Sequence, residues 1–344
     1  MRSLIKTILL FVGLLVIVGG IFLAWFVPTA FFGKPTQQTV KIIVLEHGTS
    51  DDVAQTLADK GAIVSSFGYR FYAMLDATAR YPKPGDYDVA LGSSYRAIAR
   101  QLALGPTRNE TEFKLLEGAT VLDETNLLIS RGVSIISVGD LVGDPSRNKP
   151  FAAALRQQYD FLKDLPSDAT LEGYLFPDTY RVWKDQLPLG LVLKQLNRFA
   201  EVTDGFAEQA KKQGRSFAEV VTLASIVEKE GRTTEERRMI AQIFLNRIKG
   251  GMRLQSDATV NYATKANRAR PTLDDLQNDS PYNTYRHDGL PPGPICNPGK
   301  DSLEAALNPT PNDYYYYLHD DTGKIYYAKT IEEHRVNRAK AYGE

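Results

Sequence analysis

The stretch SFAEVVTLASIVEKEGRTTEERRMIAQIFLNRIKGG, residues 216–251, carries the plan of two helices and the corner between them. Ser216, with Glu219 three residues on, has the form of a capping box, and Gly231 stands where a helix stop belongs. Between those signals runs a nearly continuous apolar segment, Phe217 to Val227, which reads as a helix. Thr233-Thr234-Glu235-Glu236 repeats the start signal. It opens a second helix that places Ile240, Ile243, Phe244 and Ile248 on its apolar side before Gly250-Gly251. Glu228 closes the apolar run. A carboxyl group there loses hydration, which favours its protonated form and suits general-acid cleavage of a glycosidic bond. The competing reading is a solvated cap or ion-pair partner, the usual fate of an acid at a helix end.

At ~100° per residue, Glu228 and Glu230 lie about 160° apart and cannot share a face. Glu230 stands over Ile226 and Leu223, which are bulky and predicted to face the core, leaving it to pair with a base such as Arg237 or Arg247. Glu228 stands over Ala224 and Val221 with Ser225 alongside, a shallower surface with room for a sugar ring. That favours Glu228 as the acid.

Further along, Leu254-Gln255-Ser256-Asp257 gathers amide, hydroxyl and carboxylate groups, and Pro281-Tyr282-Asn283-Thr284-Tyr285 and Gly289–Ile295 read as rigid loops. Tyrosine faces stack on sugars while amides and hydroxyls bond to their substituents, although such loops also serve as plain connections. Tyr314–Tyr317 and Ile325–Ala328 form a hairpin across Asp321-Thr322-Gly323, with no chemistry assigned. Upstream, Leu171–Tyr180 reads as strand and loop, its aromatics either a stacking surface or core. Residues 140–170 read as helical, broken at Pro145, Pro150 and Pro166. Thr111–Leu116 is a strand, followed by a helix to Arg131, and a helix covers Leu191–Phe199 and beyond. Strands at Val40–Leu45 and Asp86–Ala90, with helices at Ser50–Lys60, Phe67–Leu75 and Ser94–Leu104, make a small α+β unit closed by Gly105-Pro106.

From Thr7 to Phe32 no residue is charged. A spanning helix needs about 20 apolar residues, which Thr7–Phe26 supplies before Pro28. Arg2 and Lys6 precede the run, placing the N-terminus in the cytoplasm and the rest outside. A cleaved signal peptide would have a shorter core and small residues where Phe31-Phe32 stands. Lys+Arg and Asp+Glu balance at 41 each, so net charge gives no argument for nucleic acid. Cys296 is the only cysteine, and His47, His287, His319 and His334 are scattered. Neither a disulfide framework nor a zinc site is expected, and no glycine-rich phosphate loop appears.

LEGYLFPDTY at 171–180, ASIVEKEG at 224–231, FLNRIKGGMRLQSD at 244–257, PYNTY at 281–285 and GLPPGPI at 289–295, in that order and spacing, resemble the MltG (YceG-like) family of membrane-anchored endolytic murein transglycosylases. The resemblance covers the C-terminal two thirds by motif. Residues 1–106 match the family's anchor and LysM-like unit by pattern only. Leu115-Leu116 departs from the Ile-Pro that such proteins often carry before Glu117-Gly118, a change expected to affect a turn.

The resemblance implies an α+β chain: an anchor in residues 1–33, a LysM-like unit in 34–108 and a mixed α+β catalytic domain in 109–344. It implies that Glu228 protonates the oxygen linking MurNAc to GlcNAc, then as carboxylate takes the proton from the MurNAc C6 hydroxyl, closing a 1,6-anhydro ring without water. Gln255, Asp257, Tyr282, Asn283 and Tyr285 are the candidate sugar contacts, with no cofactor and no metal. The expected partners are peptidoglycan glycan strands, peptidoglycan synthases, and the inner membrane through residues 7–26. The alternatives are a hydrolytic muramidase using Glu228 and Asp257, and a non-catalytic wall-binding protein.

Overall fold

Helix α1 (Arg2–Phe31) carries the uncharged run, and from Lys6 to Phe31 it is long and apolar enough to cross a membrane. The computed structural model describes residues 2–45, 48–106, 110–144, 147, 149–266, 268 and 270–343, with the side chains of residues 2–5 excepted. Pro28 does not end α1 as its missing N–H suggested. The last turns are held instead by burial of Phe26 and Ala30, and the Thr29 hydroxyl donates back to the Trp25 and Phe26 carbonyls at 3.1 and 2.9 Å.

The chain divides into two compact units, Met1–Arg108 and Asn109–Glu344. In the first, β1 (Thr39–Val44) pairs antiparallel with β2 (Gly85–Ala90), Thr39 opposite Ala90. Ile42, Val44, Tyr87 and Val89 alternate inward, as the pleat requires. Helices α2 (Ser50–Asp59), α3 (Ser66–Leu75) and α4 (Tyr95–Leu104) complete the unit, each opened by a Thr or Ser cap.

The second unit is mostly helical. Strand β3 (Glu110–Lys114) leads to α5 (Val121–Ser130), α6 (Ile135–Val142) and α7 (Ala153–Gln158), and β4 (Thr179–Trp183) pairs antiparallel with β3. Residues 140–170 are less helical than expected: the helices named among the described residues are the end of α6, α7 and a 3₁₀ turn at Asp160–Leu162, and Pro145 lies outside the described residues. Then come α8 (Leu189–Val202), α9 (Phe206–Lys212), α10 (Phe217–Glu230), α11 (Thr234–Lys249), α12 (Asp257–Thr264), α13 (Leu273–Leu276) and α14 (Lys300–Leu307). Hairpin β5 (Tyr316–His319) and β6 (Ile325–Ala328) and helix α15 (Ile331–Tyr342) follow.

Helix α10 is the axis of this unit. Val220 to Val227 are all buried, under α9, α11, α12 and α14. Residues 171–176 lie over it, so their aromatics are core: Tyr174 stacks on Phe161 at 6.1 Å and tilts against Phe199 at 5.3 Å. Gly173, at φ +89°, passes so close that a Cβ would stand 2.4 Å from Pro294 Cγ and 3.2 Å from Val221 Cγ1. The face of Val221, Ala224 and Ser225 predicted to be open to a sugar is therefore covered. Ser225 holds the cover, its hydroxyl accepting from Ile295 N at 3.0 Å.

Asn297 ties these layers together. Its side-chain oxygen accepts from Gly173 N and Leu175 N, its amide donates to Glu124, and its backbone exchanges hydrogen bonds with Gly118 and Ala119. Glu124 and Glu172 are both buried, and burial pushes each carboxyl up to about 8. Their partners are neutral: Gln195 and Asn297 for Glu124, the Val121 N–H and Tyr262 hydroxyl for Glu172. The Gln195 side-chain oxygen is buried without a partner, and turning that amide over lets a protonated Glu124 donate to it.

A carboxyl whose folded value is raised stabilises fully below the unfolded value near 4.5, and that contribution is lost as pH rises towards about 8. Glu124→Gln is expected to raise the urea midpoint at pH 8 relative to the parent, with the difference shrinking towards pH 4.5. A pH-independent difference would mean that Glu124 is not buried in its protonated form.

Candidate active site

The corner between α10 and α11 is set by space. Gly231 has φ −94° and so is not needed for a left-handed turn. A Cβ on it would stand 2.6 Å from Arg237 Cγ and 3.0 Å from the Arg237 backbone, so the first turn of α11 passes directly against it. Thr233 caps α11 by accepting from Glu236 N, but the Glu236 carboxylate takes the Arg232 N–H at 2.9 Å, so the box is not reciprocal.

This close approach brings Arg237 onto Glu228. Its Nη2 lies 3.0 Å from Glu228 Oε1, with the carboxylate side chain only 5% exposed and the guanidinium 14%. Glu228 Oε2 accepts from Gly299 N, just before α14, at 2.9 Å. Both contacts stabilise charge on Glu228, which corrects the expectation that Arg237 serves Glu230. Asp301 of α14 lies 3.9 Å from the other arm of Arg237 and accepts from the Thr234 hydroxyl.

Glu117 is the residue that the sequence reading passed over. A Cβ on Gly299 would stand 2.2 Å from its Oε1, so this exposed carboxyl lies against the residue whose N–H holds Glu228. Burial, then the negative charge of Glu228, pushes Glu117 above the ordinary carboxyl value. Gly118, at φ +77°, brings the same loop to the Glu228 and Lys229 side chains. A cavity of about 350 Å³ opens beside it, lined by Leu115, Leu116, Glu117, Gly118, Glu124 and Leu127 among others. A larger hollow of about 470 Å³, at Gln213, Arg215 and Gln242, touches none of these acids. The sequence signal for Glu117 was a Glu-Gly pair leaving a strand, unremarkable without knowing what it faces.

Glu230 points elsewhere. It accepts from the Ser256 hydroxyl at 2.5 Å and the Tyr317 hydroxyl at 2.8 Å, and desolvation raises its carboxyl above the ordinary value. Arg247, the other expected partner, donates to the Tyr315 and Leu254 carbonyls. Tyr317, to which no chemistry was assigned, thus joins β5 to the end of α10.

The candidate sugar contacts gather on this second side. Asp257 accepts from the Tyr285 hydroxyl at 2.7 Å, next to the Ser256 that holds Glu230. Gln255 is exposed, in a backbone conformation (φ +50°) rare for a side-chain-bearing residue, its N–H held by the Thr284 carbonyl at 3.1 Å. Tyr282 is partly buried against Tyr262, ring centroids 4.9 Å apart, and burial pushes its hydroxyl up to about 12. Asn283 is fully buried. Its amide hydrogens go to the Leu276 and Asn278 carbonyls and its oxygen accepts from Tyr285 N, so it pins the loop and has no donor left for a sugar. The turn of α10 from Glu228 to Glu230 therefore separates two clusters, with the exposed Lys229 between them.

A profile of the YceG-like family matches residues 42–340. The chain is 32% identical over 318 residues to a Bacillus subtilis (strain 168) protein named endolytic murein transglycosylase, covering 89% of this chain and 85% of that one. A Streptococcus pneumoniae (serotype 2, strain D39) protein of the same name is 29% identical over 330 residues, and the match spans 59% of its length. In structure the chain is similar to a yceG-like protein from Listeria monocytogenes, with a TM-score of 0.59 and 30% identity, covering 88% of this chain and all of that one. The chain belongs to the YceG-like family.

Proposed function

We propose that the chain is a membrane-anchored lytic transglycosylase acting on peptidoglycan, with Glu228 as its single acid and base. The observation that carries this is the seating of Glu228: a carboxyl almost sealed from water, held by Arg237 and by the Gly299 N–H, beside the exposed Glu117 and an open cavity. The named relatives support the substrate class. Protonated Glu228 gives its proton to the bridging oxygen as the MurNAc C1–O bond breaks. The carboxylate left behind is stabilised by Arg237 and Gly299, and it then takes the proton of the MurNAc C6 hydroxyl as that oxygen bonds to C1. Proton and bond counts close without water, so the paired carboxylates of an inverting hydrolase are not required. Glu117 lies beside the site as a second carboxyl, exposed to solvent, whose own proton is held by burial and by the charge of Glu228. The strand crosses the end of α10, from the cavity at Glu117 to Gln255, Asp257 and Tyr285, which gives subsites on both sides of the cleaved bond.

In this reading α1 is an uncleaved anchor that places residues 34–108, as a LysM-like unit, and the catalytic domain outside the membrane. Arg2 and Lys6 on the cytoplasmic side support that orientation.

One observation favours a second acid. Desolvation raises the Glu230 carboxyl above its ordinary value, and Glu230 is the glutamate beside Asp257 and Tyr285. The two readings separate on paired variants. Glu228→Gln is expected to lower cleavage of glycan strands by about 10²–10⁴-fold with folding retained, whereas Glu230→Gln, whose amide oxygen still accepts from one of the Ser256 and Tyr317 hydroxyls while its NH2 donates to the other, leaves most of the activity. The reverse pattern would transfer the role to Glu230.

Glu228→Gln removes the like charge that helps to hold the Glu117 carboxyl up, so Glu117 should titrate at lower pH in the variant by ¹³C NMR of its side-chain carboxyl. An unmoved Glu117 would remove it from the site.

A further inference from the structure

Helix α3 is apolar on two sides. Tyr69, Tyr72 and Ala73 face the interior of the N-terminal unit and are buried. Phe67, Phe71, Met74 and Leu75, at i, i+4, i+7 and i+8, lie within an arc of about 100° on the other side. A surface helix would normally be polar there. Phe67, Met74 and Leu75 are instead 64–69% exposed, and Val64 just before the helix is also exposed.

This stripe continues the surface of α1. Phe22 of α1 meets Phe67 edge-on at 6.4 Å and Phe71 at 5.3 Å, and Phe26 meets Phe71 at 5.0 Å. Gly68 lets the helices close: a Cβ there would stand 2.9 Å from the Trp25 ring. Exposed Val18, Ile21 and Leu23 occupy the neighbouring turns of α1. The helix rises 1.5 Å per residue, so a span of about 30 Å counted from Thr7 ends near Phe26, with Phe22 about 6 Å inside it. Side chains packed on Phe22 are therefore at the depth of the outer acyl boundary, and Trp25 stands where interfacial aromatics collect.

We propose that the outer face of α3 is a second membrane contact, inserted into the outer leaflet beside α1, so that lipid covers Phe67, Met74 and Leu75. The occupant is a lipid surface because the stripe is continuous with the lipid-facing side of α1 and contacts it below the boundary. The proposal rests on reading α1 as a membrane span. Its consequence is that the N-terminal unit is held flat on the bilayer rather than swinging on a tether.

The test uses the full-length chain in phosphatidylcholine–phosphatidylglycerol vesicles, with Cys296→Ser to remove the native thiol. A bimane label is placed singly on Met74→Cys, Leu75→Cys, Ile17→Cys or, as a polar control on β2, Asp88→Cys. Labels at 74 and 75 are expected to lose emission to lipids carrying a shallow doxyl group and to resist aqueous iodide. The label at 17 should respond to a deep doxyl group, and the label at 88 to iodide alone. If 17 is quenched by lipid while 74 and 75 behave like 88, the proposal falls and the anchor stands. If 74 and 75 resist both quenchers, a protein surface covers α3 and the proposal also falls. If 17 is not quenched by lipid, the anchor reading falls and this proposal with it.

Discussion

A carboxylate removed from water must be paired, and the pairing of Glu228 with Arg237 and the Gly299 amide organises the second unit. To reach Glu228, Arg237 must begin α11 against the end of α10, which only a residue without a side chain permits at 231. To supply the amide, the chain must return from 289–298 over the buried face of α10 and start α14 there. Ser225 and Asn297 hold that return in place, the first through Ile295 and the second through Gly118, Gly173 and Glu124. The apolar packing of α10 therefore makes a rigid floor, and the polar contacts at its end decide which groups meet.

Two glutamates two residues apart consequently receive different environments. Glu228 has a cation and a backbone donor, and Glu230 has two hydroxyls and no cation at bonding distance among the described residues. In the proposed mechanism the first arrangement stabilises the charge left on Glu228 once it has given up its proton. The second joins α10 to α12 and β5 and suits a carboxyl that orients the 254–257 segment. Glu117 adds a second carboxyl, open to solvent, against the Gly299 whose N–H holds Glu228.

Much of this was legible in the residues. The capping box at Ser216 and the start signal at Thr233 mark real helix starts, and both expected strands of the first unit lie within two residues of their predicted ends. Helical angle alone separated the two glutamates. What was not legible depends on remote segments. Arg237 lies one helix turn into α11 and on spacing could serve either glutamate; the steric fit at Gly231 decides. Asn283 looked like a sugar ligand because amides bind sugars, but its loop closes on itself and takes both hydrogens. The surface beneath Glu228 seemed shallow because Val221, Ala224 and Ser225 are small, and small residues also admit a covering chain. Asn297 and α14 gave no signal, since a lone asparagine after a proline-rich loop has no periodicity to read.

In the proposed reaction the sugar's own C6 hydroxyl, not water, attacks the bond that Glu228 cleaves. Digestion of glycan strands in ¹⁸O-enriched water, followed by mass spectrometry of the new MurNAc ends, distinguishes the two nucleophiles. Attack by the C6 hydroxyl gives 1,6-anhydro ends with no heavy oxygen incorporated. Reducing ends carrying ¹⁸O from the solvent would make the chain a hydrolase.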